Sequence, residues 1–216
     1  MAGCSRHKDS VTSVIVDVTD TMNSKIPIGA ISKVSEMHNN LFSRHIVRLH
    51  VVNSFEYTPI YDYELPSSNW LKENEYKRMD SLEHFLFHVD NKLNEMYNID
   101  HSLPQSNVFD QVFLEANYLM SIQAEVRTLF ISSDLCENNN SFSAYTKDLA
   151  LMAYNPDSLE VAFTHRVKPV DYTGLQVFLV YSATEENSNN RFIITSAFLR
   201  KILLKKHATV SISCNL

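Results

Sequence analysis

The sequence predicts an α/β domain of the doubly wound kind: a mostly parallel central sheet with one antiparallel edge strand and helices on both faces. Three features lead there. Residues 11–18 (VTSVIVDV) are dense in β-branched side chains, and 126–132 (VRTLFIS) and 174–181 (GLQVFLVY) are short, almost continuously apolar runs. Such runs suit parallel strands buried on both faces. Stretches with apolar residues at helical spacing stand between them, and strands alternating with helices build parallel sheets through crossovers. Only residues 44–65 break the alternation, with two strand-like stretches joined too closely for a crossover.

After the first strand, Ile28, Ile31, Val34 and Met37 fit one face of a helix ending near Asn39-Asn40, with Pro27 in its first turn. In residues 44–55, Ile46, Arg48 and His50 alternate with Val47, Leu49 and Val51, the period of a strand with unlike faces. Residues 57–65 form its antiparallel partner, and Pro59 places that partner at the sheet edge. A polar loop at 66–74 holds the only tryptophan, Trp70. Leu82, Phe85, Leu86, Val89, Leu93 and Met96 then define a long amphipathic helix. Ser106 is expected to cap a third helix running to about Ile122, with Val108, Val112 and Leu119 on its apolar face. The central strand at 126–132 precedes a loop at 138–141 and a short helix at 144–154. The strand at 174–181, a helix at 192–206 with Ile194, Phe198, Leu199 and Ile202 facing inward, and a last strand at 208–213 complete the order. Residues 1–10 are expected to be a flexible lead-in, and 11–216 one domain.

Composition narrows the function. Hydrophobic residues make up 44% and charged residues 20%, the balance of an ordinary folded chain. A net charge of -6 lacks the basic stripe of a non-specific nucleic-acid binder. Arg200, Lys201, Lys205 and Lys206 gather at one helix end, where cations complement the helix dipole. Cys4, Cys136 and Cys214 are far apart and form no Cys-x-x-Cys, which excludes a zinc ribbon and points to a reducing, cytoplasmic setting. No apolar run reaches the ~20 residues that span a bilayer, and the first ten residues lack a signal-peptide core. The asparagine-rich composition fits an AT-rich bacterial or mobile-element genome. The three glycines, Gly3, Gly29 and Gly174, fall in no phosphate-cradling pattern, so a dinucleotide or P-loop site is excluded.

The chemistry concentrates where strands end. Asp17, Thr19 and Thr21 follow the first strand at a spacing of two, and Ser133-Asp134 follows the central strand. In open α/β sheets, ligands bind at the carboxyl ends of strands. Carboxylate and hydroxyl oxygens are hard donors that suit Mg2+, Mn2+ or Ca2+. Ser106, before the helix that precedes the Asp134 strand, adds a third hydroxyl.

This order resembles the von Willebrand factor A domain, a Rossmann-like fold. Its metal-ion-dependent adhesion site is built from Asp-x-Ser-x-Ser after the first strand, a loop threonine before a helix, and an aspartate after the fourth strand. Asp17-Val-Thr-Asp-Thr21 matches the first element with threonines for serines. Ser106, or alternatively Ser102, stands for the loop hydroxyl and Asp134 for the late aspartate. The family places glycine after that aspartate, whereas Leu135 stands here. The resemblance spans nearly the whole chain. It implies a metal held by Asp17, Thr19, Thr21, Ser106 and Asp134 that docks an acidic side chain of another protein, in an interaction module rather than an enzyme. The rival expectations are a metal-assisted phosphoester hydrolase on the same sheet and a metal-free interaction domain in which Asp17 and the threonines make only turn hydrogen bonds.

Other chemistries fit poorly. A haloacid-dehalogenase-type phosphatase would need aspartate where Thr19 stands. His84 and His88 share a helix face but lack a third ligand, so they read as solvated. No Gly-x-Ser-x-Gly elbow exists, and Cys136 has no basic neighbour in sequence.

Overall fold

The computed structural model describes residues 8–18, 24–52, 59–99, 106–138, 142–145, 147–182 and 186–214. Six strands form one sheet among these residues: β1 (Ser10–Asp17), β2 (His45–Val52), β3 (Ile60–Leu65), β4 (Val126–Ser132), β5 (Leu175–Val180) and β6 (Thr209–Ser213). Their order across the sheet is β3-β2-β1-β4-β5-β6. Only β3 runs antiparallel to its neighbour; the other pairs are parallel. The antiparallel edge strand expected from the close spacing of residues 44–65 is therefore present. The helices are α1 (Ile28–Val34), α2 (Glu75–Tyr97), α3 (Val108–Ser121), α4 (Lys147–Tyr154), α5 (Pro156–Val167) and α6 (Glu186–Lys205).

Strand alternation sorts the side chains into two cores. Val11 and Ile15 of β1, with Leu129 and Ile131 of β4, pack beneath α3, α5 and α6. Val14 and Val16, with Phe130, face α1 and α2 instead. β1 is buried along its whole length, as a strand covered on both faces must be.

Polar side chains inside these layers fix where the helices lie. Buried Glu115 of α3 accepts from Ser13 Oγ at 2.8 Å and lies 3.0 Å from His50 Nδ1. The Arg48 guanidinium approaches the same carboxylate at 3.8 Å and stacks 3.4 Å over the Tyr118 ring. α3 is thereby pinned to β1 and β2 by hydrogen-bonded charge as well as apolar contact. On the other side, buried Arg78 of α2 donates to the carbonyls of Leu41, Ser43 and Pro66 at 2.7–2.8 Å. One guanidinium thus ties α2 to the segments flanking the β2–β3 pair.

His45 shows how burial selects a protonation state. Its Nε2 lies 3.1 Å from the Asn40 carbonyl, which only accepts, so Nε2 carries the proton and Nδ1 accepts from Ser10 Oγ at 2.8 Å. Burial pushes its pKa from the ordinary 6.5 down to about 4. Between those values the unfolded chain binds a proton that the native chain refuses, so stability falls as pH drops through this window. The expected loss on going from pH 7 to pH 4 is about 3 kcal/mol from this group. Urea unfolding of wild type and His45→Gln at both pH values checks it, because the other titrating groups are common to the two proteins. Equal pH slopes would refute the assignment.

Candidate metal centre

Parallel pairing brings the two acidic strand ends together. Val16 is level with Ser132, so Asp17 stands level with Ser133, and both point to the α3 side of the sheet. The Ser133 hydroxyl donates to Asp17 Oδ2 at 2.8 Å and accepts from the Leu135 N–H at the same distance. Asp134 Oδ1 accepts from the Cys136 N–H at 2.8 Å, closing a second small turn. Both carboxylates are buried, Asp17 at 2% exposure and Asp134 at 7%.

Leu135 occupies the position between these turns with φ at +57°, a left-handed conformation that costs a non-glycine residue about 1 kcal/mol. The strain is held by the flanking hydrogen bonds and by complete burial of the Leu135 side chain. A backbone geometry that favours glycine is thus filled by leucine.

The loop after Asp134 also meets the start of α3. Ser106 and Asn138 exchange backbone hydrogen bonds, N–H to O, at 3.0 and 3.2 Å. Glu137, fully buried, accepts from the Phe109 N–H at 2.8 Å, so its charge sits at a helix N-terminus. Arg166 supports it from 3.8 Å while donating to Asp110 at 2.8 Å. Behind this junction Phe109, Phe142, Phe163 and Phe198 pack edge-on or tilted, with Phe109 5.3–6.2 Å from each of the others.

Ser106 does not cap the helix. The capping position is Asn107, whose side chain makes no capping bond, and Ser106 lies one residue earlier in an extended bridge. Its hydroxyl is buried and has no hydrogen-bond partner among the described residues, and neither has Asn107 Oδ1. Unpartnered buried oxygens are uncommon because each costs about 1–3 kcal/mol of lost hydration. Two beside a loop that carries a buried carboxylate are donors suited to a hard cation.

Thr19, Thr21 and the alternative Ser102 lie outside the described residues, as do Cys4 and residues 139–141 of the 138–141 loop. Of the five expected ligands, Asp17 and Asp134 stand at neighbouring strand ends, where Ser133 binds Asp17, and the Ser106 backbone pairs with Asn138, four residues beyond Asp134. Ser133, which bridges Asp17 to the Leu135 turn, and Glu137 are additional. Among the described residues, no three His, Cys, Asp or Glu side chains assemble into a metal-binding group.

Cys136 is not poised as a nucleophile. Burial, followed by the charge of Asp134 beside it, pushes its thiol far above the ordinary range, and Arg191 only partly offsets this. His84 is exposed and sits 3.6 Å from Asp80 on its own helix. A cavity of about 600 Å3 opens between α1 and α2. There His38 bridges Ser32 Oγ at 2.8 Å to Glu83 at 3.1 Å, but Ser32 is buried within its helix, and this chain reads as a tether between α1 and α2. No helix among the described residues is long and apolar enough to cross a membrane.

Sheet order and strand-end chemistry define the class: a doubly wound α/β domain whose polar cluster lies at the carboxyl ends of β1 and β4. Compared with known families and characterised proteins, the chain matches no family model and no curated protein.

Proposed function

We propose that this protein is a divalent-cation-dependent protein-interaction module of the von Willebrand factor A type. Asp17, Asp134 and Ser106, together with Thr19 and Thr21, would hold Mg2+ (or Mn2+ or Ca2+). When bound, such a cation offers a coordination position to a carboxylate of a partner protein. The observation that carries the reading is the buried, unpartnered Ser106 hydroxyl on the loop joined to the Asp134 turn. Supporting it are the Asp17–Ser133 link between the two strand ends and the left-handed backbone at Leu135.

Asp17→Ala is the direct test. Cation binding to the native state alone raises the unfolding midpoint in proportion to RT ln(1 + [L]/Kd), about 2.7 kcal/mol at a hundredfold excess over Kd. We expect wild type to show a saturable rise with Mg2+, Mn2+ or Ca2+ over the EDTA baseline, and Asp17→Ala to fold without showing it. A partner retained by the wild-type protein should be released by chelator. Turnover of a generic phosphoester that disappears in Asp134→Asn would instead make the same site a hydrolase. A midpoint unmoved by every cation would leave a metal-free interaction domain.

A further inference from the structure

We propose that β6 pairs antiparallel with β6 of a second copy of this chain, joining two six-stranded sheets into one. The two edges of the sheet are built in opposite ways. β3 carries Asp62, held by Arg48 of β2, and Glu64, held by Arg44 just before β2, and is bounded by Pro59 and Pro66. Charges and flanking prolines are how natural edge strands repel further pairing. β6, at the opposite edge, reads Thr-Val-Ser-Ile-Ser, with no charge, proline or bulge. Ile212 on it is 46% exposed, and Leu204 on the covering helix α6 is 44% exposed. Nearby Lys201 and Lys205 are paired with Asp157 and Glu160 of α5, so much of the positive charge on that flank is compensated.

The backbone fixes a register. Ser213 turns its carbonyl toward β5, where it accepts from the Tyr181 N–H at 3.2 Å. Alternation then directs Val210 and Ile212 outward with their N–H and C=O groups. An antiparallel partner that satisfies both residues sets Val210 opposite Ile212 of the second copy, with each pair exchanging two hydrogen bonds. The two-fold axis passes midway between the two Ser211 residues. In this register every cross-strand pair is like with like. β-branched Val210 meets Ile212 on the α6 face, while Ser211 meets Ser211 and Thr209 meets Ser213 on the other. Aliphatic β-branched and hydroxyl pairs of this kind are favourable between strands. That self-complementarity selects a second copy over an unrelated strand. A five-residue edge buries less than the ~1,600 Å² of a standard stable interface, so the dimer is weak and concentration-dependent.

The register makes a covalent test possible. The two Ser211 positions form a non-hydrogen-bonded pair with Cα atoms ~4.5 Å apart, within reach of a disulfide. The two Thr209 positions stand four residues out of step, ~13 Å apart and out of reach. In a Cys4→Ser, Cys214→Ser background, Ser211→Cys and Thr209→Cys are each oxidised at micromolar concentration and resolved on non-reducing gels. Sedimentation velocity follows the same proteins across the micromolar range. We expect a concentration-dependent dimer, weakened about tenfold or more by Ile212→Lys, and at least tenfold more cross-linked product from Ser211→Cys than from Thr209→Cys. A chain that stays monomeric, or a dimer that cross-links no better at 211 than at 209, overturns the proposal.

Discussion

Replacing Arg78 with methionine is expected to lower the free energy of unfolding by about 3–5 kcal/mol, among the largest single-residue effects in the molecule. The apolar stem would survive; the guanidinium would not. The buried carbonyls of Leu41 and Ser43 and the more exposed one of Pro66 would lose their charged donor. Glu73, 3.8 Å away, would lose its counter-charge. Each carbonyl left dry costs about 1 kcal/mol or more. Arg78→Lys should recover only part of the loss, because an ammonium cannot reproduce the planar fork that reaches carbonyls on both sides of the β2–β3 pair. Urea unfolding measures both variants. A loss below ~1 kcal/mol for Arg78→Met would mean that water replaces the guanidinium and that the clamp is dispensable.

Phe109→Ala is expected to cost a comparable ~3–5 kcal/mol, the usual range for emptying a fully buried phenylalanine site. Phe109 contacts Phe142, Phe163 and Phe198, so it joins the 142–145 segment, α5 and α6 behind the start of α3. Its own N–H is the one that Glu137 accepts. The effect should therefore reach the candidate site. If Ser106 is a ligand, loosening α3 at this end should weaken cation binding as well as the fold. Phe109→Leu, which keeps most of the volume, should restore most of both. Full stability in Phe109→Ala would show that the aromatic cluster collapses without cost.

Much of this architecture is legible in the residues themselves. Strands β1, β4 and β5 announce themselves by unbroken β-branched or apolar runs, and β3 by Pro59 and its closeness to β2. What escapes is local. Helix α5 covers the core with little more than Leu159 and Phe163 and exposes Val161, so its apolar period is too faint to read. α6 begins at Glu186, six residues before its first buried side chain, Phe192, because its opening turn is entirely polar. At the site, the strand ends that carry Asp17 and Asp134 can be read from the sequence. Ser133 becomes readable only once the register of β1 against β4 is known. Glu137 had no signal at all, since its carboxylate is explained by a helix N-terminus that lies 28 residues away in sequence. Ser106 was legible as a polar residue before a helix, yet its expected capping role goes unfilled, and that vacancy of partners is what makes it informative.

The most direct test of the account is a pair of melting curves. In EDTA, Ser106→Ala removes a buried hydroxyl that has no partner among the described residues, so the variant should unfold at the wild-type midpoint or slightly above it. With saturating Mg2+ or Mn2+, wild type should gain stability and Ser106→Ala should gain clearly less, reversing or closing the gap. If the two proteins respond identically to every cation, Ser106 is no ligand and the strand-end cluster is turn chemistry alone.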